Sequence, residues 1–308
     1  MTQADDPGPP RFDLAFDGEP GRLVPVSPLV RRIVANNPSP FTFRGTNCYV
    51  VGQGEVAVID PGPQDARHVE ALIAQLGDER ITQIVVTHTH RDHSPAARSL
   101  KAATGAPIVG CGRHVGARAL AQGETARLDA ANDLDHVPDR QTLDGDVIEG
   151  AGWRLVAVAT PGHTMNHLAF HLPQENALFS GDHVMAWSTT IVAPPDGAMA
   201  PYMASLEKLR GRADAVYWPG HGGPVRDPQR FVRALIGHRR QRESSILARL
   251  ADSARTIPEL VDLNYPGLSE RLKGAAALST LAHLEDLADR GLVASDGADG
   301  IGAVWRTA

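Results

Sequence analysis

The sequence predicts an α/β domain built in layers, followed by a small helical domain that ends in a β-hairpin. Three observations lead there. Early in the chain, short β-rich runs alternate with amphipathic helices. A meander of strands follows at mid-chain. From about Asp227 the apolar pattern becomes helical, then closes on two short strands around an Asp-Gly-Ala-Asp-Gly turn, the layout of a winged helix.

The length of 308 residues suits one sandwich-type domain with a small appendage. A hydrophobic share of 42% and a charged share of 21% place the chain among globular proteins, which excludes a disordered or fibrous one. With 5% aromatic residues the core must lean on Ala, Val, Leu and Ile. The net charge of -6 gives no global pull toward nucleic acid or an anionic membrane. Among the 30 basic residues, Lys101, Lys208 and Lys273 are the only lysines; the arginine excess reads as a compositional bias shared with Ala, Gly and Pro. Cys48 and Cys111 lack metal spacing and read as free thiols in a reducing compartment. No window approaches a membrane span and no leader pattern opens the chain, so the expected location is cytoplasmic, with no membrane partner.

Element by element, residues 1–22 are rich in Pro, Gly and Asp and read as a poorly ordered lead-in. The runs 48–51 and 56–59 form a hairpin across Gly-Gln-Gly. Residues 65–76 make an amphipathic helix closed by Gly77. The apolar strand 84–86 leads into a histidine-rich run. A helix follows over 95–104, with Ser94 as its N-cap, then a strand at 107–109. Residues 112–140 have weak periodicity and read as helix and loop over the site. Strands are expected at 145–148, 154–159, 168–172, 177–179 and 215–218, with a helix over 199–211. The layered domain so defined spans 23–226, a linking helix 227–250 and the winged-helix domain 251–308, with helices at 257–263, 268–277 and 279–290. The basic stretch Arg226, Arg230, Arg233, Arg239, Arg240 and Arg242 reads as a solvated helix face.

The chemistry concentrates in His88-Thr89-His90-Arg91-Asp92-His93. With 13 histidines in the chain, this spacing has a chance expectation on the order of 0.002. Three imidazoles and a carboxylate in six residues cannot all enter a core without partners. In a turn after a strand they can share one pocket, and that donor set suits zinc. Three more turns each set a possible ligand beside a glycine at a strand exit: Thr160-Pro161-Gly162-His163-Thr164, Ser180-Gly181-Asp182-His183 and Trp218-Pro219-Gly220-His221. A lone histidine after Pro-Gly is ordinarily a surface-turn residue; together with the hexapeptide these become candidate ligands.

These four blocks resemble the signature of the metallo-β-lactamase superfamily, whose fold is an α/β (αββα) sandwich. The resemblance implies one metal held by His88, His90 and His163, a second by Asp92, His93 and His221, and Asp182 bridging them. Asp60, in Ile59-Asp60-Pro61-Gly62, matches the family's outer aspartate that hydrogen-bonds a ligand imidazole. Two Zn2+ are the implied cofactors, with iron or manganese as alternatives. The implied chemistry is hydrolysis by a metal-bridging hydroxide, with Asp92 as the catalytic residue that orients it. A bridging Asp182 argues against antibiotic hydrolysis.

The stretches 45–52 and 181–197, Pro201 to Leu206, and the tail around Ala282-His283-Leu284 resemble the β-lactamase-like-protein-2 branch, which carries a C-terminal winged helix. That branch implies cleavage of single-stranded RNA, with Trp187, Ser188 and Thr189 beside the substrate. The alternatives are a thioester hydrolase of the glyoxalase II type acting on a small molecule, and a catalytically idle nucleic-acid-binding protein. The winged helix, poor in late basic residues, is expected to pack or shape the site. The remaining histidines are expected to have no role, His167 and His183 serving structural hydrogen bonds.

Overall fold

The computed structural model describes residues 8–120, 132–297 and 300–308. The expected helix over part of 112–140 and the tip of the last hairpin lie in part outside these residues. One sheet runs, in spatial order, through β1 (Val24–Pro25), β2 (Val30–Val34), β3 (Asn47–Gln53), β4 (Glu55–Ile59), β5 (Arg80–Val86), β6 (Ile108–Gly110) and β7 (Arg140–Gln141). The second contains β8 (Val147–Gly150), β9 (Trp153–Ala159), β10 (Leu168–Leu172), β11 (Ala177–Gly181) and β12 (Val216–Pro219), with β12 and β8 at its edges.

The sheets face each other through an apolar core in which Tyr49 of the first sheet meets Phe179 of the second, ring centroids 5.2 Å apart. Helices α1 (Ala66–Leu76) and α2 (Ala96–Thr104) cover the outer face of the first sheet with Val69, Leu72 and Leu100. Helices α3 (Met199–Arg210) and α4 (Pro228–Asp252) cover the second with Tyr202, Leu206, Val232 and Leu235. The result is the αββα sandwich. Burial on both faces explains why β4 and the end of β5 are apolar runs rather than alternating patterns.

Sequence punctuation fixes several ends. Asp65 caps α1 by accepting from the Arg67 N–H at 3.0 Å, and Gly77 ends it with φ 60°. Ser94 is not the cap of α2: Pro95 occupies that position, while the Ser94 hydroxyl donates to Asp133 at 2.8 Å. Residues 8–22 lie against the domain, with Phe16 buried beneath the Arg32 guanidinium and the Asp13 N–H donating to Ala186 O.

The C-terminal domain comprises α5 (Ile257–Asn264), α6 (Glu270–Asp289) and a sheet of β13 (Arg255–Thr256), β14 (Val293–Ser295) and β15 (Val304–Thr307). The two helices expected over 268–290 are one. Ser279 and Thr280 do not break it, because both are buried and the Thr280 hydroxyl bonds back to Ala276 O at 2.8 Å. The third helix of the winged-helix layout is the end of α4, whose Ile246 and Leu250 join the Leu260, Leu284 and Trp305 cluster.

Candidate metal centre

Strands β4, β5, β9, β11 and β12 end at one rim of the sandwich, because β4 and β5 are parallel and β11 and β12 are parallel. Asp60 follows β4, the hexapeptide follows β5, His163 follows β9, Asp182 follows β11 and His221 follows β12. The candidate ligands from all four blocks therefore meet in space.

Each of five imidazoles has one ring nitrogen engaged away from the centre. The Thr87 hydroxyl donates to Asp60 at 2.7 Å, so it accepts from His88 Nδ1–H at 2.9 Å. His93 Nδ1–H donates to Asp60 at 2.9 Å, His163 Nδ1–H to Ile191 O at 2.7 Å and His221 Nδ1–H to Gly45 O at 3.1 Å. His90 Nε2–H faces Asp196 at 3.1 Å. The inner nitrogens then face one another. His90 Nδ1 lies 3.1 Å from His88 Nε2 and 3.0 Å from His163 Nε2, while His93 Nε2 lies 3.3 Å from His221 Nε2. Such contacts repel unless a cation sits among them.

The carboxylates complete the arrangement. Asp92 Oδ2 is 3.1 Å from His221 Nε2 and 3.3 Å from His93 Nε2. Asp182 Oδ2 reaches both groups, at 3.2 Å from His221, 3.5 Å from His93 and 3.8 Å from His163. Its other oxygen is buried with no hydrogen-bond partner, an orphaned anion facing the cluster. Sets of three donors, His88 with His90 and His163, and Asp92 with His93 and His221, each gather within 4.8 Å. This donor set fits two divalent cations.

Electrostatics divides the centre in the same way. Burial drives His88 and His163 down, His163 to about 4, and keeps them neutral. Burial also opposes charge on His221, but Asp182 and Asp92 outweigh it and push His221 up to about 10. That half attracts positive charge, which a proton or a metal can supply.

Outer contacts hold the loops. Asn47 Nδ2 donates to Pro219 O and Gly222 O, both at 2.9 Å, clamping the turn that carries His221. Thr46 Oγ1 donates to Asp92 Oδ2 at 3.1 Å. His167 accepts the Asp182 N–H at 3.2 Å, while His183 packs against the Tyr202 ring, 4.6 Å between centroids. Asp60 has φ 49°, a conformation that a non-glycine residue adopts at a cost, and it lets one carboxylate serve both Thr87 and His93. Gly220 is required by close approach: a Cβ there would lie 2.3 Å from Asp182 Oδ1.

A cavity of about 570 Å³ opens over the donors. Phe41, Met185, Ile191 and Ala193 wall it, with Ala275 and Leu278 of α6, and among the described residues Arg91 and Arg271 are its cations. Trp187, Ser188 and Thr189 line a neighbouring cavity instead, and Trp187 stacks on Phe43 with centroids 5.0 Å apart. The sequence reading gave no role to Asp196, which lines the main cavity between His90 and His114, or to Gly45 and Ile191, whose carbonyls orient ligands. Asp196 stands in a block already singled out, Ala193 to Gly197; a carbonyl acceptor leaves no sequence signal.

The profile of the metallo-beta-lactamase superfamily matches residues 41–221, and that of the beta-lactamase associated winged helix domain matches residues 256–305. Among similar proteins, the Beta-lactamase-like protein 2 homolog of Drosophila melanogaster is 31% identical, over 85% of this chain and 88% of its own. The atrochrysone carboxyl ACP thioesterase of Aspergillus fumigatus is 32% identical, over 78% of this chain and 70% of its own. In structure, a metallo-beta-lactamase family protein from Thermus thermophilus superposes with a TM-score of 0.74 at 26% identity, covering 92% of this chain and all of its own. The four ligand-bearing turns, the sandwich that aligns them and the helical tail thus have one explanation: the chain belongs to the metallo-β-lactamase superfamily and carries that superfamily's associated winged-helix domain.

Proposed function

We propose that the protein is a dinuclear metal-dependent hydrolase, with zinc as its metal, acting on a thioester whose acyl group is apolar. The observation that carries this reading is the cavity wall. Five of its side chains over the donors are Phe41, Met185, Ile191, Ala193 and Leu278, and among the described residues its cations are Arg91 and Arg271. An acyl chain gains by leaving water on such a surface, whereas a polyanionic strand needs a track of positive charge. A relative named as an ACP thioesterase agrees with it.

His88, His90 and His163 would hold one cation, Asp92, His93 and His221 the other, with Asp182 facing both. When bound, the cations supply a water of lowered pKa and positive charge against the developing oxyanion. The chain's own residues do the rest. Asp60 fixes His93 and, through Thr87, His88. Asp92, partly open to the cavity, orients the attacking water and takes its proton. Water adds to the carbonyl carbon, the C–S bond breaks, and products are a carboxylic acid and a thiol. A thiolate is a good leaving group, so no strong acid is needed beside it.

Cleavage of single-stranded RNA is the second reading. Arg91 and Arg271 at the rim favour it as phosphate contacts, and α6 then contributes to nucleic-acid binding. Parallel assays on an acyl-CoA series and on single-stranded RNA separate the two. Thioester turnover that Asp92→Ala lowers by about a thousandfold, with intact RNA, is expected. RNA cleavage lost in Asp92→Ala, with inert thioesters, would instead favour the second reading. Neither activity above Asp92→Ala in the metal-loaded protein would leave the idle nucleic-acid-binding protein.

A further inference from the structure

Beside the main cavity lies a second one, about 290 Å³, between the sandwich and the winged-helix domain. Phe41, Met185, Ile191 and Ala275 border both cavities, so the two are adjacent chambers with shared walls. The second is apolar along Trp187, Tyr265, Leu268 and Leu272.

Beside the polar Ser188, Thr189, Thr190, His238 and Ser279, its one fixed charge among the described residues is Arg239. The sequence reading set this residue on a solvated face, yet it is 4% exposed and lines the cavity. Its Nη2 donates to Thr190 O, its plane lies over the Tyr202 ring, and its Nε has no partner. Among the described residues no carboxylate lies within ion-pair distance of it. The titratable neighbours are His183, His238 and His283, which burial and Arg239 itself hold neutral. An uncompensated guanidinium is costly to bury, so the cavity presents a fixed, unanswered positive charge inside an apolar chamber. The charge sits close to the chemistry: Thr190 Oγ1 donates to Asp182 O, and the next residue, Ile191, holds His163.

Resting on the thioesterase reading, we propose that this chamber receives the acyl group of the substrate, and that the group is apolar along its length and ends in a carboxylate paired with Arg239. Trp187, Ser188 and Thr189 then touch substrate, but at the acyl end rather than at the scissile bond.

The test uses the full-length, zinc-loaded protein with and without chelator. It is titrated with 4-phenylbutyrate and with the uncharged amide of that acid, following fluorescence that Trp187→Phe removes. The acid is expected to bind in both metal states and the amide roughly tenfold more weakly, Arg239→Gln abolishing the difference. Ala276→Trp, which fills the chamber and leaves Arg239 in place, should block both ligands. Equal binding of acid and amide, an unaffected Arg239→Gln protein, or binding that vanishes with chelator would overturn the proposal. In turnover, adipyl-CoA should exceed hexanoyl-CoA in kcat/KM by roughly tenfold, and Arg239→Gln should remove that preference. If neither thioester is hydrolysed the thioesterase reading fails, while the fluorescence titration still decides whether the chamber binds an apolar carboxylate.

Discussion

At the residue scale, Asp60 links sequence to chemistry most tightly. One carboxylate, held in a left-handed backbone conformation, accepts from the Thr87 amide, the Thr87 hydroxyl and His93 Nδ1–H. Asp60→Asn keeps the size but cannot accept at every oxygen, so His93 loses its fixed orientation. Such outer partners are worth about 10- to 100-fold in metal affinity. Zinc competition with a chromogenic chelator should show a loss of that order in the variant, with an unchanged circular dichroism spectrum. An affinity equal to that of wild type would mean that Asp60 serves only its turn. Asp196 makes the same kind of contact to His90. Its position was visible in the sequence but its role was not, because a lone aspartate after two prolines carries no spacing that points to a histidine far away in the chain.

At the element scale, what could be read depended on how many constraints converged on a segment. The strand exits carrying His88 to His93, His163, Asp182 and His221 combine apolar β runs, glycine turns and metal-binding side chains, and all converge in space. Short elements without such signals escaped: β2, with two arginines between valines, and β13, two residues long, gain their strand character only by pairing with β3 and β15. Helix α6 was split in the sequence because Ser279 and Thr280 look like a break, yet tertiary packing buries both. Arg239 escaped for the converse reason: a helix face rich in arginine looks solvated until α3 packs on α4 and α6 packs on α3. Helix α6 serves two purposes, a core stripe on one side and the cavity wall of Arg271, Gly274, Ala275 and Leu278 on the other. Leu284 is fully buried in that core, so Leu284→Ala should destabilise the winged-helix domain by about 2–5 kcal/mol in denaturant unfolding. A change under about 0.5 kcal/mol would place the helix outside the folding core.

At the scale of the whole molecule, the seam between the domains is rich in buried, neutral imidazole. His283 lies down at about 3 and His238 at about 4, by burial and by the neighbouring Arg239. The unfolded chain takes up these protons near pH 6.5 while the folded one does not. Stability from these groups is therefore complete above about pH 6.5 and declines as pH falls toward the folded values. Between pH 7 and 5 a single such histidine accounts for about 2 kcal/mol. Urea unfolding at both pH values should show a smaller loss in His283→Met than in wild type; an equal loss would assign the acid sensitivity elsewhere.

Seven side chains from four strand exits are proposed to hold two metal ions. Metal analysis by mass spectrometry after equilibration with zinc tests this most directly. About two ions per chain are expected in wild type, about one in His163→Ala, which loses one donor set, and zinc-dependent protection against heat that both share in proportion. A wild-type chain that holds one ion or none, or a His163→Ala chain that still holds two, would contradict it.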